Sequence, residues 1–175
     1  MKIKLKDKIF TYRFAKEEDI DIINKFDINI YRKVDHRIYF RHNKIKLKNM
    51  MSNGRKILLV FFEEKLVAWA GVIVTASKAY ATDYDFTEKQ MEEAGALVAT
   101  AVSPKFRGYG LQKFLIQKRI EYLKKLKKKY ALVDIHPLNK YSENNIVDFG
   151  FKFIKKARIR KEGCTEKINH YVLKL

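Results

Sequence analysis

One cysteine among 175 residues, Cys164, rules out an internal disulfide, and a thiolate metal site would need partners that the chain does not have. Two prolines and seven glycines are too few for a Pro-rich or flexible linker, and no internal repeat or low-complexity tract interrupts the chain. A single domain over 1-175 is the expectation, and that length suffices for one buried core. Long hydrophobic runs are missing as well. Ile57 to Phe62 stops at Glu63, Glu64 and Lys65, and nothing approaches the roughly 20 apolar residues of a membrane span. Met1 to Lys8 alternates lysine with apolar residues and has no continuous apolar core of the kind a secretion signal needs, which points to the cytoplasm. His36 and His42 stand in a basic stretch without carboxylate or cysteine partners at ligand spacing, so no metal is expected.

Acidic side chains are also scarce. The chain sets 20 Asp and Glu against 38 Lys and Arg, a formal net charge of +18. Such a surface attracts polyanions, and Arg32 to Lys56 concentrates the excess with only Asp35 opposing it. RNA, acidic proteins or a phosphorylated cofactor would suit it. Composition alone gives the same excess, because lysine and isoleucine are the commonest residues and the lysines spread along the whole chain.

What is present is an ordered series of periodic segments. Phe10 to Phe14 alternates as a strand, and Glu17, Glu18 and Asp19 favour a helix start just after it. Tyr31 to Gly54 reads as a helix and a loop. The β-rich runs Ile57 to Phe62 and Leu66 to Ala76 flank a short polar turn and form a hairpin. Ser77 to Glu93 shows neither a strand period nor a helix period and reads as an insertion on the substrate side. Ala94 to Val102 is a strand, Leu111 to Leu126 an amphipathic helix, and Ala131 to His136 a further strand. A short helix from Tyr141 to Phe149 stops at Gly150, and strands from Phe151 and Ile168 close the chain. The closing hairpin can pair within or between subunits, which leaves a monomer or a homodimer.

Arg107-Gly108-Tyr109-Gly110 lies between a strand and the long helix. The first N–H groups of that helix and its positive dipole end face the turn, which makes an anion site. Glycines admit positive φ and let backbone amides approach phosphate oxygens, and Arg107 adds a forked donor. A P-loop would continue with Gly-Lys-Ser or Gly-Lys-Thr, whereas Leu111 and Gln112 follow here. A dinucleotide fold would need a third glycine and an acidic residue at the end of the next strand, and neither stands out clearly.

The stretch Val102-Ser103-Pro104-Lys105-Phe106-Arg107-Gly108-Tyr109-Gly110-Leu111 resembles the acetyl-CoA motif of the GNAT superfamily, whose core reads R/Q-x-x-G-x-G/A. Arg107 and Gly110 match its first two positions, and Gln112 departs from its last. Downstream, His136-Pro137-Leu138-Asn139, Ser142 and Gly150-Phe151 are similar in order and spacing to the family's strand, Asn, small-residue and Gly-Phe element. The two motifs cover Ala94 to Phe151. The resemblance implies an α+β (α/β) fold. Its central sheet would be mixed, mostly antiparallel, six- to seven-stranded, flanked by about four helices and splayed between strands 4 and 5.

It also implies acetyl-CoA as co-substrate, with the pantetheine arm pairing along Thr100, Ala101 and Val102. The pyrophosphate would rest on amides of Arg107, Gly108, Tyr109, Gly110, Leu111 and Gln112, and Asn139 and Ser142 would face the pantetheine or adenosine side. Acyl transfer to an amine needs a base, a stabilised oxyanion and a proton for the leaving thiolate. A backbone N–H near Val102 answers the oxyanion. Alternation along Leu132, Asp134 and His136 puts the last two on one strand face, which makes Asp134 the first candidate base. The tyrosine that many members use as acid corresponds here to Ile146, so Ser142 or solvent takes that role. Tyr31, Tyr39, Phe40, Trp69, Tyr80 and Tyr84 are candidates to line an acceptor pocket.

The first reading is therefore an N-acetyltransferase for a primary amine. Two others stay open: a basic protein binding RNA or ribosomes through Arg32 to Lys56, and a CoA-binding sensor without catalysis.

Overall fold

The computed structural model describes residues 1–52, 54–76, 84–161 and 164–175, without the side chains of 159–161 and 164–166. Tyr80 and the side chain of Cys164 thus lie outside the described residues. The chain divides into two compact units, each built from two separate segments.

The first unit comprises Met1–Ile73 and Ala99–Leu115. Its strands β1 (Lys2–Leu5), β2 (Lys8–Phe14), β3 (Arg55–Phe62) and β4 (Lys65–Ile73) form an antiparallel meander. A 3₁₀ turn, Glu17–Asp19, precedes α1 (Ile20–Tyr31), and α2 (Lys44–Asn49) follows. Asp19 accepts the Lys16 N–H at 2.7 Å and both guanidinium nitrogens of Arg13 at 2.6 and 2.7 Å, which ties the helix entrance to β2. Strand alternation sorts the core onto two faces. Leu58 and Val60 join Phe10, Val67 and Leu111 on one, while Ile57, Leu59 and Phe61 join Ile23, Leu47 and Trp69 on the other. Each fully buried Leu, Ile or Phe contributes about 1.5–3 kcal/mol by leaving water.

The second unit comprises Val74–Val98 and Ile116–Leu175. It holds α3 (Glu88–Glu92), β6 (Tyr130–Ile135), α5 (Lys140–Asp148), β7 (Lys152–Lys161) and β8 (Cys164–Lys174). β5 (Ala94–Val102) starts in this unit and ends in the first, and α4 (Leu111–Lys125) starts in the first and ends here. β5 pairs parallel with β6, β6 antiparallel with β8, and β8 antiparallel with β7.

The class is the expected one, α+β with a mixed, mostly antiparallel sheet, but the described residues hold eight strands and five helices. The extra strand is β1, whose Lys-apolar alternation becomes a strand by pairing with β2 from Lys2↔Thr11 to Leu5↔Lys8. The extra helix is α3, inside the stretch that showed no period. Its start is a capping box in which Thr87 and Gln90 exchange bonds, so local hydrogen bonding and not periodicity defines it.

Candidate functional site

Past the end of β5, the Ser103 N–H donates to the Val67 carbonyl at 2.8 Å. Pro104–Phe106 then forms a 3₁₀ turn opened by the proline, whose ring fixes φ. The Phe106 and Tyr109 rings pack on Phe10 at 6.0 and 6.2 Å, and Leu111, Phe114 and Leu115 are buried in the same core. These contacts pin the Arg107–Gly110 turn from beneath.

Gly108 and Gly110 both have φ +82°, and a Cβ added to either would meet nothing within 4 Å. The turn therefore combines a backbone shape that L side chains resist with open space where a glycine Cβ would stand. The Phe114 N–H donates to the Gly110 carbonyl at 2.9 Å, the first rung of α4, so the positive end of that helix opens directly behind the glycines. Two more cations come from the β1–β2 hairpin, with the Lys6 and Lys8 ammoniums 5.8 and 5.7 Å from the Tyr109 ring. A pyrophosphate matches this chemistry of glycine turn, helix terminus and nearby positive charge.

In the second unit, β5 and β6 pair only through Ala94↔Tyr130, Gly95↔Ala131 and Ala96↔Leu132, although β6 continues to Ile135. This is the separation expected between the strand before the turn and the one after the long helix. The buried Arg119 of α4 donates to the Val98 carbonyl at 3.3 Å, beyond the last paired residue, and burial pulls its pKa down to about 9. Ala99 then takes φ +39°, a strained value for a residue with a Cβ. In the first unit the strand goes on through half-buried Thr100, buried Ala101 and half-buried Val102.

Asp134 stands near the end of β6, opposite His170 of β8. Its Oδ1 lies 2.7 Å from His170 Nδ1 and 2.6 Å from the Tyr84 hydroxyl, which is also 2.9 Å from the Val133 carbonyl. His170 and Tyr84 are buried, whereas the Asp134 side chain retains 20% exposure. Sequence reasoning named Asp134 and placed Tyr84 among the aromatics, but it missed His170. No local pattern marks that histidine, because 36 residues separate it from Asp134.

The expected sharing of a strand face by Asp134 and His136 does not hold. β6 ends at Ile135, and His136 caps the following turn instead. Its Nδ1 accepts the Leu138 N–H at 3.2 Å, and its carbonyl accepts the Asn139 N–H at 2.8 Å. Asn139 is the N-cap of α5 and its Oδ1 accepts the Ser142 N–H at 3.1 Å, so these two motif residues form one unit. Ile146 is 2% exposed and belongs to the core. Nearby, the Tyr171 hydroxyl donates to Glu143; burial first, and then this bond, push the tyrosine pKa up to about 12.

The basic segment is partly neutralised within the chain. Arg37 is bonded to Asp35, and Lys44 and Lys48 pair with Asp21 and Glu17 at 2.7 and 3.8 Å. Of the pocket aromatics, Tyr39 and Trp69 pack near His42, and Tyr31 stacks on His36 at 3.9 Å. Among the described residues no group of three His, Cys, Asp or Glu is placed to hold a metal ion, and no helix is long and apolar enough to cross a membrane.

The family model described as Acetyltransferase (GNAT) family matches residues 21–151. The chain belongs to the GNAT family. The match takes in β5, the glycine turn, α4, β6 and α5, and GNAT proteins use acetyl-CoA. Solved structures agree on the fold. A ribosomal-protein-alanine N-acetyltransferase from Brucella melitensis aligns with TM-score 0.72 and 17% identity, covering 94% of this chain and 99% of that one. A GNAT-family acetyltransferase from Streptococcus pneumoniae gives 0.71 and 15%, covering 95% and 99%. The yncA protein of Salmonella typhimurium, whose structure holds its cofactor acetyl-CoA, gives 0.68 and 15%, covering 94% and 93%. No curated protein matches the sequence.

Proposed function

We propose that this GNAT protein is an N-acetyltransferase, working as one domain, that moves an acetyl group from acetyl-CoA to a primary amine of a small-molecule or protein acceptor within a ternary complex. The observation that carries the reading is the glycine turn, with Gly108 and Gly110 at φ +82° and open space where a Cβ would stand, at the start of α4. The turn from Arg107 to Gln112 would hold the pyrophosphate, and the Thr100–Val102 edge of β5 would hold the pantetheine arm. Asn139 and Ser142 are the further candidates on the cofactor side.

When bound, acetyl-CoA supplies an activated acetyl thioester. The chain's task is to deliver an uncharged amine, stabilise negative charge and supply a proton. Asp134 takes one proton from the acceptor's ammonium, which frees the nitrogen lone pair to form the C–N bond as the C–S bond breaks. The second N–H proton balances the departing thiolate, with Ser142 or solvent as donor. The backbone N–H near Val102 would be the donor that stabilises the developing negative charge. Proton release to solvent restores the Asp134 carboxylate.

Acetyl-CoA calorimetry on the wild type and on Gly110→Trp, each at two salt concentrations, tests this. Saturable binding that survives higher salt and vanishes in the variant supports the reading and leads to amine screening by thiol release. Binding that is absent or indifferent to the substitution overturns it, and the basic-surface reading on RNA then takes its place.

A further inference from the structure

We infer that Tyr84 and His170 are positioning residues for Asp134: they occupy its Oδ1 and present Oδ2 as the atom that meets the acceptor's ammonium. This rests on the N-acetyltransferase reading above and adds two residues to it. Each distance belongs to one compact unit: 2.7 Å from Oδ1 to His170 Nδ1 and 2.6 Å from Oδ1 to the Tyr84 hydroxyl.

The proton positions follow from the partners. Nδ1 and a carboxylate oxygen at 2.7 Å would repel each other as bare lone pairs, so a proton lies between them. His170 Nε2 is buried and, among the described residues, has no hydrogen-bond partner. An N–H there would be an orphaned donor, whereas a buried sp² lone pair costs less, and a charged ring would cost more than either. His170 is therefore neutral and carries its proton on Nδ1. The Tyr84 hydroxyl has a single proton and two acceptors, Oδ1 and the Val133 carbonyl, and the carboxylate is the stronger of them. Two donors thus converge on one oxygen.

The other oxygen is left for chemistry. Among the described residues no bond goes to Oδ2, and the side chain retains 20% exposure while its two holders are buried. The rings also lock each other, with centroids 4.7 Å apart. Rigid buried donors on one oxygen of a partly exposed carboxylate fix the direction of the other, which is what a base requires to meet its proton in one geometry. Removing one donor lets the carboxylate turn away from that geometry, a loss that falls on kcat more than on KM.

The test has two arms. Long-range ¹H–¹⁵N correlation spectra locate the ring proton of His170, assigned by its loss in His170→Asn. A proton on Nδ1 is expected, and a proton on Nε2 overturns the inference. The second arm follows thiol release from acetyl-CoA, with whichever of spermidine, free lysine and an alanyl peptide the wild type acetylates fastest. His170→Leu is expected to lower kcat/KM about ten- to a hundredfold, with most of the loss in kcat. His170→Asn places an amide donor near the Nδ1 position and is expected to recover most of the activity. Tyr84→Phe is expected to lower kcat in the same direction as His170→Leu. An unchanged kcat in His170→Leu, or no recovery in a folded His170→Asn, overturns the positioning role. Failure of the parent reading looks different: the wild type then binds no acetyl-CoA by calorimetry, and the tautomer remains readable.

Discussion

Asp27, fully buried on α1, accepts a hydrogen bond from the Tyr39 hydroxyl, and its other oxygen takes the His42 N–H at 2.7 Å. One carboxylate thereby fastens the segment after α1 to the helix. Its two bonding partners are neutral donors, so the pair depends on both bonds being made. Tyr39→Phe should cost about 1–2 kcal/mol, seen as a fall in Tm of roughly 3–8 °C. Asp27→Ala, which leaves both donors unpaired, should cost more. Thermal scans of the two variants check the order; equal stability of Tyr39→Phe and the wild type would remove this bond from the account.

The Arg13–Asp19 pair sets an acid dependence. The Arg13 hydrogen bond comes first among the influences that hold Asp19 below its ordinary pKa, despite its burial. A carboxyl depressed in the folded state stabilises above the unfolded pKa, about 4, and that contribution is lost as pH falls through the folded value. Asp19→Asn should therefore be less stable than the wild type at pH 7, with the gap narrowing below pH ~4. Urea titrations at both pH values measure it, and a gap that widens in acid would contradict the pairing.

Tyrosines govern the alkaline side. Tyr171 is pushed up to about 12 by burial and Glu143, and Tyr39 is raised by burial and Asp27. Groups raised in the folded state contribute fully below the unfolded tyrosine pKa of about 10 and lose that contribution as pH rises. Wild-type stability should fall between pH 10 and about 12, and less steeply in Tyr171→Phe. Tyrosinate absorbance followed together with unfolding gives the comparison.

Lys6 and Lys8 bring charge to the glycine turn through Tyr109. Replacing both with alanine should weaken acetyl-CoA binding about three- to tenfold at low salt, and the difference should shrink as salt rises. Calorimetry at two ionic strengths decides it, and an affinity unchanged at low salt would place the hairpin outside the cofactor's field.

Much of the site was legible because it is local. Arg107-Gly108-Tyr109-Gly110 encodes its own shape, since glycines admit the φ of +82° seen at both positions and the following apolar period makes the helix that gives the turn its charge. Asn139 likewise caps α5 through a bond three residues long. β1 escaped because four alternating residues are a weak signal until β2 pairs with them. His136 was misplaced because alternation cannot say where a strand stops; the bond from Leu138 to its ring turns the chain away there.

By itself, then, the sequence determined the glycine turn, the long helix behind it and the family, all of which rest on contacts within a few residues along the chain. Only the tertiary structure decided the surroundings of Asp134, whose holders lie 50 residues before it and 36 after it. The physical reason is that a carboxylate's orientation depends on which buried donors reach its oxygens. Those donors come from a loop and a strand that meet it only once the sheet has formed.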